Sequence, residues 1–262
     1  MSIVDPIRKF ISQLFYSFRT YGFMSKAKDK ISEYFSDYEN VTWSKLRAEV
    51  FSDKNQRLPS TLDYEKLCDL ISNTGKVSGD KLKVLDYGGG NLALYRQVSF
   101  DFPDLRLEWT IVENPAYFAE IKVHWGEKQA NYSELAEGFR IGEYSNLFIS
   151  DRIPAQNFDI CIAGAVLGWV DSPIKTLNTL IGKADNLLIT RTLMSKKSAK
   201  LGYQRTAIGE NKVKVKCWFL DEDEIASTPN LIILDTWNSS PDLIYTIYGI
   251  WRFKSLLLKR VK

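Results

Sequence analysis

Histidine is almost missing from this 262-residue chain, where His124 is the only one. A histidine-rich metal centre is thereby excluded, whereas a single catalytic base is not. Cysteine is scarce as well. Cys68, Cys161 and Cys217 are odd in number, far apart and set in apolar stretches, which fits reduced thiols in the cytosol and leaves neither a disulfide nor a zinc site to expect. No run of about 20 apolar residues spans a bilayer, and no compact apolar core with a cleavage site marks a signal peptide. The expected location is cytoplasmic. Neither sign of charge dominates, since 35 basic and 32 acidic residues leave a net +3, too little to imply nucleic acid. Internal repeats and low-complexity segments are absent too.

What is present is ample apolar material, 45% of the chain, enough for one large domain or a domain with an extension. One stretch organises it. Val84-Leu85-Asp86-Tyr87-Gly88-Gly89-Gly90-Asn91-Leu92-Ala93 runs an apolar strand into a carboxylate, three glycines and a helical pattern. Consecutive glycines admit positive φ and let the backbone approach a ligand where a parallel strand ends at the binding edge of an α/β sheet. Two cofactor classes use such a loop. Gly88-x-Gly90-x-x-Ala93 obeys the dinucleotide spacing, and Glu113 follows at the end of the next strand. Asp86 separates the two, because a carboxylate there repels a pyrophosphate and suits a cation bearing an amino group and a sulfonium. That favours S-adenosylmethionine over NAD(P).

In chain order, residues 1–78 read as an N-terminal helical extension and 79–262 as the cofactor-binding domain. Ile3, Ile7, Phe10, Ile11, Leu14, Phe15 and Phe18 fall at helical spacing among Arg8, Lys9 and Arg19, an amphipathic basic helix suited to docking on its own domain or a second subunit, or to peripheral contact with an anionic membrane surface. Further helices are expected around Trp43 to Val50 and from Ser60 or Thr61 to Gly75, covering the open edge of the cofactor domain, with a polar loop over 52–59 between them. Leu92 to Phe102 continues as a helix, and Leu105 to Glu113 as a strand stopped at Asn114-Pro115. A carboxylate at that strand tip is placed to accept from two ribose hydroxyls. A helix spans Pro115 to Trp125. The third strand is either Phe139 to Glu143 or Asn146 to Ile149, and in the second case Asp151 stands at its tip, able to accept from an adenine amino group. Phe158 to Gly164 is a buried strand ending in small residues that admit a ligand, with Asp171-Ser172-Pro173 opening a helix. Leu187 to Thr192 is a fifth strand, Ser195 to Lys200 a loop or lid, Val213 to Cys217 an edge strand with a solvated lysine face, and Asp221 to Ala226 a short acidic helix. Leu231 to Thr236 and Leu243 to Ile250 read as an antiparallel pair joined by 238–242.

Strand-Asp-x-Gly-x-Gly, an acid closing the second strand, a Phe-Asp fourth strand and a terminal hairpin together resemble the class I S-adenosylmethionine-dependent methyltransferases. Val84 to Gly90, Trp109 to Pro115, Ala163 to Pro173 and Leu188 to Thr192 are more narrowly similar to a family of bacterial methyltransferases of undefined substrate, often encoded with surface-polysaccharide genes. The likeness covers about Tyr38 to Phe253. It implies a Rossmann-like, mostly parallel seven-stranded sheet between helices, with an antiparallel last strand. Asp86, Tyr87, Gly88, Gly89, Gly90, Glu113, Asn114, Asp151 and Gly164 are then the cofactor-binding set. Two departures stand out. Leu92 occupies the place of a third spaced glycine, which would narrow the pocket, and no Asn/Asp-Pro-Pro-Tyr follows the fourth strand, which argues against nucleobase methylation.

Methyl transfer needs little from the protein beyond alignment, worth about 7–11 kcal/mol in favourable cases. A hydroxyl acceptor also wants a base, for which Asp171, Tyr203 and His124 are candidates. Trp169, Arg191 and Gln204 could line the site of a small-molecule or glycan acceptor. Two other readings stay open: an NAD(P)-dependent oxidoreductase, favoured by Ala93, and a non-catalytic cofactor fold kept as a binding partner, which Leu92 suits.

Overall fold

The computed structural model describes residues 12, 21–23, 61–78, 81–90, 92–128, 132–135, 138–141, 144–208, 211–246 and 249–261. Position 12 apart, the amphipathic start of the chain through residue 20 lies outside them, as do the helix expected at 43–50 and the loop at 52–59.

Five strands carry the centre: β2 (Leu82–Tyr87), β3 (Leu107–Val112), β6 (Tyr144–Ser150), β7 (Phe158–Gly164) and β8 (Ala184–Ser195). They pair in parallel in the order β6-β3-β2-β7-β8. Both faces of these strands are covered, which is why their residues read as near-continuous apolar runs. The order reverses at β2, so the chain leaves β2 for β3 on one side and enters β7 on the other. A crevice opens above the carboxyl ends at such a switch point. The helices α1 (Thr61–Ser78), α2 (Ala93–Asp101), α3 (Pro115–Lys128) and α4 (Pro173–Lys183) flank this centre.

The third strand is the later of the two possibilities, since β6 pairs with β3 and its register sets Val112 opposite Ser150. Phe139 belongs instead to β5 (Gly138–Ile141), which with β4 (Tyr132–Leu135) forms an antiparallel extension beyond β6. On the other side β12 (Gly249–Arg260) runs antiparallel to β8, and β11 (Leu231–Thr246) antiparallel to β12. The expected break at 238–242 is not a turn. β11 continues through it with a bulge between Asn238 and Leu243, and the two strands meet instead at Thr246 opposite Gly249. The Asn-Ser-Ser-Pro-Asp composition reads as a turn, yet a bulge absorbs the same surplus residues without reversing the chain.

Among the described residues the sheet has twelve strands in place of the seven expected. The surplus comes from the β4–β5 extension and from a ribbon of β1 (Tyr21–Phe23), β9 (Lys200–Ile208) and β10 (Asn211–Asp221). β10 pairs antiparallel with β9 along its length and parallel with β8 only at Leu220↔Met194 and Asp221↔Ser195. Met194 is also opposite Arg252 of β12, so β10 lies on the edge of β8 that β7 occupies lower down. Counting back along β10 brings Lys216 and Trp218 to the level of the carboxyl end of β7. The ribbon is thus a wall beside the crevice. β9 lacks the strict apolar alternation that would announce a strand.

α1 lies on a face of the sheet, reaching from the centre out to β11. Leu67, Leu70 and Ile71 share one core with Val84, Trp109, Ile111 and Leu188, and Lys66 pairs with Asp235 at 2.7 Å. Asp221 caps α5 (Glu222–Ala226), its side chain accepting from the backbone N–H of Asp223, as expected of an acidic helix start. Among the described residues no helix is long and apolar enough to cross a membrane.

Candidate functional site

Two of the three glycines after β2 take left-handed backbone, Gly88 at φ 68° and Gly90 at φ 70°. A side chain at Gly88 would also strike Val166, whose Cγ2 lies 2.5 Å from where a Cβ would stand. At Gly89 the obstacle is Asp86 itself, with its carboxyl carbon 2.7 Å from that position. The loop is glycine because it folds back over its own acid and against the β7 exit. Its hydrogen bonds close the clamp. The Gly90 N–H donates to the Glu113 carboxylate, the Gly90 carbonyl accepts from the Tyr117 hydroxyl at 2.7 Å, and the Gly88 N–H donates to the Val112 carbonyl at 2.8 Å.

Asp86 and Glu113 are therefore brought together under one loop, 2% and 6% exposed. The Asp86 carboxyl is pushed up to about 7, first by burial and then by the charge of Glu113, against the single indole N–H that Trp109 donates at 3.3 Å. A buried carboxyl raised in this way, beside a second acid, makes a place that a cation relieves. Tyr87 turns away from the loop. Its hydroxyl hydrogen-bonds Thr176 of α4, and burial, ahead of the Glu113 charge, raises it. Leu92 does not narrow a pocket: it is fully buried in the main core.

The neighbouring strand tips add polar groups at the same edge. Glu113 donates its N–H to the Ser150 carbonyl at 3.0 Å, placing Asp151 beside it, where Asp151 pairs with Arg152 at 3.2 Å. Asn114 caps α3, its side-chain oxygen accepting from the Tyr117 N–H at 2.9 Å. Gly164 is not sterically required, as an added Cβ would rest at an ordinary 3.5 Å from Thr190 Oγ1. The unusual backbone comes one residue later, at Ala165 with φ 56°, whose N–H donates to the Thr190 carbonyl at 2.8 Å. That turn throws Val166 over Gly88.

The candidates for the acceptor side divide. Arg191 bulges from β8 at φ 50°, exposed, with its N–H donated to the hydroxyls of Ser239 and Ser255, both at 3.2 Å. Ser255 in turn donates to the buried Asp63 at 2.7 Å, which also accepts from the Trp237 indole at 2.8 Å. Trp169 packs against the small cluster of Leu193, Cys217, Phe219, Ile244 and Trp251, a structural role. Gln204 and Tyr203 sit on β9, opposite Val215 and Lys216. Asp171 is exposed and held by Lys216 at 2.8 Å, which suits a counter-ion better than a base. His124 lies on α3, about 13 Å of helix rise beyond Pro115 and so away from the carboxyl edge. The helix direction removes it from the candidates.

The lysine face expected to be solvated is corrected by Lys216, which is buried. Strand alternation alone could not tell that its ammonium lies over the Trp218 ring and meets Asp171. Val166, Lys216, Trp218, Asp63 and Ser255 carried no motif in the sequence. Among the described residues no group of acids, histidines and cysteines could hold a metal ion.

No family model and no curated protein matches the chain. Solved structures do. Coclaurine N-methyltransferase bound to N-methylheliamine and SAH is similar with a TM-score of 0.51 and 11% identity, over 97% of this chain and 93% of that one. The N-terminal domain of EvdMO1 with SAH bound gives 0.46 and 12%, over 86% and 98%. The N-methyltransferase NodS from Bradyrhizobium japonicum WM9, in complex with S-adenosyl-l-homocysteine, gives 0.43 and 11%, over 85% and 100%. At such identities the likeness is one of fold: this chain has the α/β architecture on which coclaurine N-methyltransferase is built.

Proposed function

We propose that the chain is an S-adenosylmethionine-dependent methyltransferase. The observation that carries this reading is the pair of buried acids, Asp86 and Glu113, drawn under a glycine loop at the switch point of a parallel sheet. A pyrophosphate there would meet the Asp86 carboxylate, whereas a ligand with an ammonium and a sulfonium would neutralise it. The fit is local as well, since the loop leaves no room for side chains at Gly88 and Gly89. The fold likeness contributes the fold and nothing finer.

In this reading the Gly88–Gly90 loop and Asp86 hold the amino acid end of the cofactor, Glu113 the ribose, and Asp151 with Asn114 the adenine side. Tyr87 and Gly164 shape the exit of β2 and β7. When bound, the cofactor supplies a methyl group on a sulfonium. The chain's own part is to fix that group against the acceptor and to keep water out, with Val166 and the β9–β10 ribbon as walls and Arg191 and Gln204 facing the acceptor. The acceptor is proposed to be a small molecule or a sugar-containing compound of surface-polysaccharide synthesis.

Calorimetric titration with S-adenosylmethionine, S-adenosylhomocysteine and NADH tests the reading. Binding of the first two with none of the third is expected. NADH binding would make the protein an oxidoreductase, and no binding of any would leave a cofactor fold without a cofactor.

A further inference from the structure

Beside the crevice, β10 carries two donors on one face, Lys216 and, two residues on, Trp218. Residues two apart on a strand point the same way, and the Lys216 ammonium lies 5.9 Å from the centre of the Trp218 ring. Lys216 is only 8% exposed. The carboxylate it meets belongs to Asp171, whose own side chain is 83% exposed, so the pair is buried on one side and in water on the other. The Trp218 indole N–H is buried and donates to no acceptor among the described residues. Leaving such a group unmet costs free energy that a ligand oxygen would recover.

The place matters as much as the groups. Trp218 donates its backbone N–H to the Gly168 carbonyl at 2.7 Å, which pins this part of β10 across the loop that leaves β7. The same loop presses Val166 onto Gly88. Lys216 and the Trp218 indole thus sit one loop away from the glycine clamp. Along the sequence, residues 196–216 carry Lys196, Lys197, Lys200, Arg205, Lys212, Lys214 and Lys216 against Glu210 alone, a local excess of positive charge. A field of that sign concentrates anions.

We propose that Lys216 and the Trp218 indole N–H form a subsite for an oxyanion group of the acceptor, a carboxylate or a phosphate, with Asp171 as the resident counter-ion that the ligand displaces. The ammonium supplies charge, the indole a directed hydrogen bond, and the exposed Asp171 carboxylate can swing into water at little cost. Naming the ligand the acceptor rests on the methyltransferase reading, but the anion subsite does not.

The test uses the full chain labelled with 15N at its indoles, with Trp218→Phe identifying the Trp218 resonance. Inorganic phosphate and acetate are titrated at constant ionic strength held with chloride. The Trp218 indole signal is expected to move saturably with at least one of the two anions and not with chloride. Whichever anion moves it names the group. Asp171→Asn should tighten the response by about fivefold, the effect of removing a unit like charge a few ångströms away in a watery surround. Lys216→Met should abolish it, and because Asp171→Asn alters an exposed side chain, that variant decides even if Lys216→Met does not fold. A signal that neither anion moves, in the wild type or in Asp171→Asn, overturns the proposal, as does an unchanged response in folded Lys216→Met. Parallel titration with S-adenosylhomocysteine separates the two readings. Loss of that binding with the anion response intact sinks the cofactor assignment alone, and the reverse sinks the subsite alone.

Discussion

Replacing Asp86 by asparagine should make the protein more stable at alkaline pH while weakening its hold on the cofactor. The carboxyl is held at about 7 in the folded protein against an ordinary 3.8, so the folded state binds this proton more tightly than the unfolded one. Its stabilising contribution is complete below pH 3.8 and is lost as pH rises through about 7. The difference corresponds to up to about 4 kcal/mol at pH 8. Asparagine keeps an oxygen for the Trp109 indole and removes the ionisation. Asp86→Asn should therefore gain up to about 4 kcal/mol over the wild type at pH 8 and almost nothing at pH 4. For a domain of this size that is roughly 10 °C in Tm. Thermal or urea unfolding at the two pH values reads the effect directly. A variant no more stabilised at pH 8 than at pH 4, or less stable than the wild type at pH 8, would refute a buried, uncompensated Asp86. The same variant should bind S-adenosylmethionine about 10- to 150-fold more weakly, the range for losing a charged hydrogen-bond partner.

The other expectations are shorter. S-adenosylmethionine affinity should rise about tenfold per pH unit up to near 7 and then level off, since the cation selects ionised Asp86; a flat profile between pH 5 and 8 in titration calorimetry would exclude the coupling. Glu113→Gln should cost about 1.5–3 kcal/mol of cofactor binding and move the Asp86 transition to lower pH, because the Glu113 charge helps to raise it; unfolding curves against pH would show an unmoved midpoint if the two acids do not interact. Gly88→Ala meets both a φ of 68° and Val166, so a loss of about 1–3 kcal/mol is expected. The relief variant Val166→Ala should recover part of that loss in the same denaturation assay. Deleting residues 1–23 removes β1 from Gly202, Tyr203 and Gln204, and circular dichroism melting should find the remainder less stable.

Much of the centre was readable along the chain. The apolar runs of β2, β3, β7 and β8, the glycine loop and the acid closing β3 are local signals, because a strand buried on both faces and a turn needing positive φ each restrict the residues that can occupy them. Glu113 followed from its position at a strand end. Misreadings arose where the outcome depended on what lay alongside. The composition of 238–242 permits a turn or a bulge, and only the pairing of β11 with β12 selects the bulge. Lys216 alternates as a solvated residue would, yet it is buried, with its ammonium over the Trp218 ring.

The sequence by itself determined the parallel centre and the glycine turn that follows β2, since those depend on short-range periodicity and backbone freedom. Only the tertiary structure decided that Asp86 and Glu113 share one desolvated space, that Val166 closes on Gly88, that His124 is carried away from the edge, and that the β9–β10 ribbon stands over the exit of β7. Those are relations between residues distant along the chain. Their geometry is set by which strands become neighbours and which groups lose water together, and no window of sequence contains both partners.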